Sequence, residues 1–273
     1  MSRVVLIDAD SLVYQSSKES LYDSLTILDE KVDNIFKQTQ ADKYAMFISQ
    51  GKYFRHDIYP EYKGQRKTYP SQLKWLKTLK SYLVEGYSAR ALNKIEADDV
   101  VAYFYNTYKD SKEVTPIIAS TDKDVLFTIP GKHFNYSYKL PDKDDLDSLI
   151  KGWWVDVTQE EADEYFKYLL IAGDTSDNIL TPFPENCAKA NKILTIEEIL
   201  SGYINGLPYT TPSGQKKFRA GLGASEGYKL FDMNYKLLSL LITESDYNKY
   251  GLESPGAIDS YLIDIEKNTT NLF

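Results

Sequence analysis

Apolar positions along the chain fall into two rhythms. Short unbroken runs, Val4-Val5-Leu6-Ile7, Tyr44-Ala45-Met46-Phe47-Ile48 and Pro116-Ile117-Ile118-Ala119, have the length and composition of strands buried on both faces, as in a parallel sheet. Between and beyond them the apolar residues recur at helical spacing: Leu25, Leu28, Val32, Ile35 and Phe36, then Leu73, Leu76, Leu79 and Leu83 after Ser71. Ser11 to Tyr14 opens a helix after the first strand, and Glu96 starts another that runs through Phe104. Glu160–Ile171, Ile193–Leu200 and Tyr228–Ile242 are helical in pattern. Phe134–Tyr138 reads as a further strand, Tyr87–Arg90 as a short one, and Lys139–Asp145 as a polar surface loop. Strands alternating with helices predict an α/β fold over residues 1–160, followed by a helical region over 161–273.

What ends the strands changes the picture. The first run stops at Asp8, and in open α/β sheets ligands bind beyond the carboxyl ends of strands. Three later segments are rich in acid: Glu96-Ala97-Asp98-Asp99, Asp122-Lys123-Asp124 after the third run, and Asp174-Thr175-Ser176-Asp177. At about 100° per residue, Glu96, Asp98 and Asp99 fan over roughly half of a helix circumference. The preference of acids for a helix N-terminus explains one or two such carboxylates better than three. Asp174 and Asp177 are three apart, on one side of any helical turn.

The formal charge is −8, from 32 basic and 40 acidic residues. Setting aside the eight carboxylates of these segments leaves 32 acids against 32 bases, so the excess acid is accounted for by one site, which would need cations. Cys187 is the only cysteine, and His56 and His133 are the only histidines, which excludes a disulfide within the chain and a thiolate or histidine-rich metal site. The first apolar run is four residues long before Asp8, too short for a signal peptide or membrane span, and a cytoplasmic location is expected.

Residues 51–80 differ from the rest. Lys52, Arg55, Lys63, Arg66, Lys67, Lys74, Lys77 and Lys80 face only Asp57 and Glu61, with Tyr53, Phe54, Tyr59, Tyr62, Tyr69 and Trp75 interleaved. Cations that neutralise phosphates beside rings that stack on bases suit a single-stranded nucleic-acid end. Lys74, Lys77 and Lys80 form a stripe that an ordinary solvated helix face would explain equally well. Carboxylate oxygens without histidine or thiolate are ligands for magnesium or manganese. Two such ions about 4 Å apart activate water and stabilise the leaving oxygen of a phosphodiester.

These residues carry a family resemblance. Ile7-Asp8, Phe54-Arg55-His56 leading to Tyr62-Lys63-Gly64-Gln65-Arg66, Glu96-Ala97-Asp98-Asp99, Ser120-Thr121-Asp122-Lys123-Asp124 and Gly173-Asp174-Thr175-Ser176-Asp177-Asn178 occur in the order seen in the flap endonuclease and 5'-3' exonuclease superfamily, over roughly residues 3–180. That superfamily includes the 5' nuclease domains of bacterial DNA polymerase I and separate bacteriophage enzymes, and the compact chain is similar to the phage branch. The resemblance implies a twisted, mostly parallel sheet flanked by helices, with a helical arch drawn from the basic segment 51–85. It implies Asp8, Glu96, Asp98, Asp99, Asp122, Asp124, Asp174 and Asp177 as direct or water-mediated ligands of two magnesium or manganese ions. Lys63 and Arg66 match the basic pair expected at the reacting phosphate, so that Asp8, Glu96, Asp98, Asp122, Lys63 and Arg66 form the expected catalytic set. Tyr62 matches the residue on which a terminal base stacks. Arg55, Lys67, Lys74, Lys77 and Lys189 join Tyr62, Lys63 and Arg66 as expected nucleic-acid contacts. The implied substrate is DNA with a 5' single-stranded end or flap, or an RNA-primed duplex, with a single-strand binding protein or polymerase clamp as partner and no membrane.

Two departures stand out. The superfamily usually has an aspartate just after the second strand, where this chain has Ser49 and Gln50. Its glycine-rich helix-hairpin-helix is replaced over 181–194 by text that begins Thr181-Pro182-Phe183-Pro184-Glu185-Asn186-Cys187-Ala188-Lys189, without glycine, which removes the usual basis for close phosphate approach and for a potassium site. Gly221-Leu222-Gly223 reads better as part of a later helical segment than as a displaced hairpin. Two other readings compete. One is a junction-binding protein that has lost catalysis through the altered second-strand position. The other is a haloacid-dehalogenase-like phosphatase built on Asp8-Ala9-Asp10, which leaves the other acidic segments and the basic stretch unexplained and is disfavoured by Leu12. Exonuclease, flap endonuclease and primer-removing ribonuclease H activities share one chemistry, and the sequence does not separate them.

Overall fold

The computed structural model of this 273-residue chain describes residues 1–65, 74–139, 150–191 and 193–265. The chain forms two compact units, each from separate stretches: residues 1–53, 68–157 and 240–273 make one, residues 54–67 and 158–239 the other. The sequence-based division at 160 therefore differs in two ways. Part of the basic segment belongs with the second unit, and the residues after 239 return to the first.

The first unit is built on a six-stranded sheet in the order β5-β4-β3-β1-β2-β8. Its strands are β1 (Ser2–Asp8), β2 (Lys43–Phe47), β3 (Val114–Ser120), β4 (Gly131–Lys139), β5 (Ile150–Val157) and β8 (Ile263–Asp264). β1 runs parallel to both β2 and β3, and β3 parallel to β4; β5 and β8 are antiparallel edges. Val5 and Ile7 face a core with Leu12 of helix α1 (Asp10–Ser16), Leu28, Val32 and Ile35 of α2 (Leu21–Thr39), and Leu79 and Leu83 of α4 (Leu76–Tyr87). On the other face Phe47 stacks on Phe104 of α5 (Ala97–Tyr108) at 5.6 Å between ring centroids. Both faces of the central strands are covered, which is why their text is unbroken apolar sequence.

One local reading changes. The stretch Tyr87–Arg90 is no strand: α4 runs through Tyr87, turns at Ser88 with φ 53°, and only Arg90 bridges Phe47. Leu73 and the start of the helix expected from Ser71 lie outside the described residues, as do Arg66 and Lys67 and most of the Lys139–Asp145 loop. β5 was not foreseen.

The second unit holds α3 (Phe54–Ile58), α7 (Gln159–Ala172), α8 (Glu185–Ala190), α9 (Ile196–Asn205) and α10 (Ala224–Leu238). Capping boxes at Thr158 with Glu161 and at Thr195 with Glu198 start α7 and α9. An antiparallel hairpin of β6 (Gly206–Thr210) and β7 (Lys216–Ala220) interrupts the expected all-helical text. Among the described residues no helix is long and apolar enough to cross a membrane.

Candidate active site

The carboxyl ends of β1 and β3 deliver the first group of acids. Asp8 closes β1 and is 3% exposed. Its Oδ2 accepts from Ser120 Oγ at 2.7 Å, its Oδ1 from the Asp10 amide at 3.3 Å, and its carbonyl from the Tyr136 hydroxyl at 2.6 Å. Ser120 Oγ also receives the Asp122 amide at 3.0 Å, and Asp122 Oδ1 caps α6 (Lys123–Thr128) by accepting from the Asp124 amide at 2.9 Å. On the other side Asp10 Oδ1 accepts from the Ser49 amide at 3.0 Å, and Ser49 Oγ receives the Ala97 amide at 2.9 Å, at the start of α5. A continuous hydrogen-bonded path thus runs from Asp122 through Ser120, Asp8, Asp10 and Ser49 to the helix that begins with Glu96. Three of the four acidic segments meet along the carboxyl edge of one sheet.

Within that helix the three carboxylates separate. Glu96, the N-cap, is 1% exposed; Asp98 is half-buried; Asp99 is fully buried and accepts from the Leu241 amide at 3.1 Å through Oδ1. One oxygen of Asp99 is therefore committed to the main chain that follows α10.

Burial pushes Asp8 up from 3.8 to about 7, aided by the negative charges of Asp10 and Asp122 and opposed by the Ser120 hydrogen bond. A divalent cation is the chemical remedy for a carboxyl held this way, and its oxygen-rich surroundings suit one. The donor set fits a hard metal ion. Among the described residues, no three acidic, histidine or cysteine side chains already form a chelating group.

The second unit carries the fourth segment. α7 ends at Gly173, whose φ of 73° turns the chain into a loop closed by the Asp174 amide on Ile179 O at 3.0 Å and the Ile179 amide on Asp174 O at 2.7 Å. Asp174 Oδ1 accepts from the Ser176 amide and hydroxyl at 2.7 and 2.8 Å. Asp177 Oδ2 accepts from the Tyr62 hydroxyl at 3.0 Å and lies 3.7 Å from Lys63 Nζ, while the Lys63 amide donates to Asp177 O at 2.9 Å. Asn178 Nδ2 donates to Glu61 O at 3.0 Å. The basic motif and the fourth acidic motif, 115 residues apart, form one local structure. Tyr62 is 4% exposed, with Lys63 Nζ 5.1 Å from its ring centroid and His56 edge-on at 5.6 Å, so a base reaches that ring only after these neighbours shift.

Other expected nucleic-acid contacts are placed differently. Arg55 is 2% exposed, and its Nε and Nη2 donate at 2.9 Å to Leu237 O and Ser239 O, so its guanidinium satisfies the carboxyl end of α10 instead of facing solvent. Lys189 pairs with Glu185 at 2.7 Å on the surface of α8. Lys74 donates to Glu19 O at 3.2 Å beside the Trp75 ring, and Lys77 is exposed. Tyr136 carries no signal in the sequence; Asp10 stood out there only as part of the pair for a phosphatase, and Ser49 only as the residue in place of the superfamily's second-strand aspartate.

With this geometry in view the comparisons are specific. The 5'-3' exonuclease N-terminal resolvase-like domain family matches residues 3–151, more than half of the chain, and the chain belongs to that family. A 5'-3' exonuclease of Mycoplasmopsis pulmonis is 26% identical over 188 residues, 65% of this chain and 61% of that protein. The flap endonuclease Xni of Shewanella pealeana is 25% identical over 252 residues, 88% of this chain and 92% of that protein. Among solved structures, a bacteriophage T5 flap endonuclease in a pseudo-enzyme–product complex with DNA and metal ions aligns with TM-score 0.62 at 14% identity, over 95% of this chain and 96% of that one. A T5 5'-exonuclease with bound zinc aligns with TM-score 0.57 at 16% identity, over 88% and 90%. The fold is that of these α/β nucleases, and family membership displaces the phosphatase reading.

Proposed function

We propose that this protein is a divalent-metal-dependent 5' nuclease that hydrolyses phosphodiesters at 5' ends or 5' flaps of DNA, in phage replication or recombination within the infected host cytoplasm. The observation that carries the reading is the convergence of Asp8, Asp10 and Asp122 on one sheet edge, with Asp8 raised to about 7 by burial and its acidic neighbours. Asp8, Asp122 and Asp124 with Glu96 and Asp98 would hold one or two magnesium or manganese ions there; Asp99, Asp174 and Asp177 are the remaining candidate ligands. When bound, such ions supply an activated water and charge for the leaving oxygen. Ser120 holds the Asp8 carboxylate in one orientation, and Tyr136 anchors the Asp8 main-chain carbonyl beneath it. Lys63, held by Asp177, would meet the reacting phosphate as a positioned positive charge, with Arg66 of the same sequence motif as the second cation. RNA-primed duplex is the alternative substrate, and a clamp or single-strand binding protein the expected helper, because 181–194 lacks the glycines of a duplex-gripping hairpin.

The test is cleavage of an internally labelled duplex with a 5' flap, beside an RNA-primed duplex, in magnesium and in manganese. Cutting at the flap junction or stepwise from the 5' end, stopped by chelator and reduced at least about 100-fold in Asp8→Ala and Asp122→Ala with DNA binding retained, is the expected result. Variants that cut as fast as the parent protein would refute the assignment.

A further inference from the structure

Lys80 lies outside the set of ligands and phosphate contacts proposed above, and its surroundings are not those of a surface lysine. Its neighbours in the stripe, Lys74 and Lys77, are exposed, but Lys80 turns inward from α4 with its side chain 30% exposed. Its Nζ donates to Asp10 Oδ1 at 3.1 Å and to Ser49 O at 2.7 Å. The same Asp10 oxygen accepts from the Ser49 amide at 3.0 Å, so Asp10, Ser49 and Lys80 close a small ring between the ends of β1 and β2. Ser49 in turn anchors the first turn of α5 through Ala97. Asp10 is two residues from Asp8, and its amide donates to Asp8 Oδ1 at 3.3 Å. A metal ion drawn to the edge would be attracted to Asp10 as well as to Asp8 unless Asp10 were already neutralised.

We propose that Lys80 is a positioning residue for the nuclease reaction: its ammonium occupies Asp10, ties it to Ser49, and so directs divalent ions to Asp8 and Asp122. This rests on the nuclease reading above. The chain carries Ser49 on the loop after β2, and the ring uses both the amide and the carbonyl of that residue. Lysine suits the task because one compact ammonium meets a carboxylate and a carbonyl together while its stem packs along the helix.

The experiment measures manganese binding to the intact protein without nucleic acid, by the electron paramagnetic resonance of free Mn2+, and single-turnover flap cleavage at saturating metal. Lys80→Met uncovers Asp10. It is expected to tighten manganese binding at least about tenfold, because it leaves an unpaired negative charge beside the ion, and to slow cleavage about tenfold or more through misplaced metal. Adding Asp10→Asn returns the affinity to near the parent value, and Lys80→Arg retains most of the cleavage rate. A purely structural role would lower stability and leave the affinity unchanged. Should Lys80→Met not fold, Lys80→Gln, which can still donate to Ser49 O, carries the same comparison. Unchanged manganese affinity in the single variant, or an affinity in the double variant that stays at the single variant's level, overturns the proposal. A parent protein that neither binds manganese nor cuts would overturn the nuclease reading, and the role of Lys80 with it. A parent that does both, beside a Lys80→Met that matches it, overturns the Lys80 role alone.

Discussion

A carboxyl group that is 3% exposed and faces two further carboxylates keeps its proton to about pH 7 when no cation is present. In the unfolded chain the same group releases it near the ordinary 3.8. Between those values the folded protein binds one proton more than the unfolded, so stability is greatest at the acid end of the window and declines as pH rises through about 7. Scanning fluorimetry in chelator should therefore show a melting temperature that falls over this range. Asp8→Asn should flatten the fall, and manganese should restore the loss at pH 8 in the parent but not in the variant. A parent and variant with parallel pH profiles would show that Asp8 is not the group responsible. At this scale the sequence was informative where an acid followed a buried strand, because the apolar run announces its own end. It was uninformative for Lys80 and Arg55. A lysine at three-residue spacing from two exposed lysines looks like surface, and an arginine in a basic stretch looks like a phosphate ligand until the carbonyls of Leu237 and Ser239 are seen around it.

Among the elements, the loop after α7 is the one most dependent on a single residue. Gly173 has φ 73°, and a Cβ there would come within 2.3 Å of Ile179 O, the acceptor for Asp174 that closes the loop. Neither backbone atom can give way without opening that pair. Gly173→Ala is expected to cost roughly 1–3 kcal/mol and to lower the urea midpoint accordingly, with loss of the Tyr62–Asp177 contact visible as a change in tyrosine fluorescence. An unaltered midpoint would mean the loop is not held as described. The strands were legible because burial on two faces leaves a one-letter signature. The β6–β7 hairpin was not, because β7 is exposed along its whole length and therefore has no apolar alternation to read.

At the scale of the molecule, chain order and spatial order part company. The first unit is finished by residues that follow the second: Leu241 donates to Asp99, the Tyr247 hydroxyl donates to Asp99 O at 3.3 Å, and Ile263 pairs with Tyr44 to cover the outer edge of β2. A chain stopped after Ser239 should thus leave Asp99 buried without its amide donor and β2 as an open edge. It is expected to be aggregation-prone and to lack near-ultraviolet circular dichroism from the first unit; a soluble, native-like product would contradict this. The two-unit arrangement was not legible from a division at 160, since composition changes along the chain whereas the units are assembled from pieces of it.

The late strand β8 also bears on how the protein is made. During translation every residue of the second unit leaves the ribosome before residues 263–264 do. The sheet whose edge gathers Asp8, Asp10 and Asp122 is therefore still open on one side while the nascent chain is tethered beside its own messenger. The outer edge of β2 is thus sealed, through Lys43 and Tyr44, only after the whole second unit has been made, so the first unit does not close ahead of the second during synthesis.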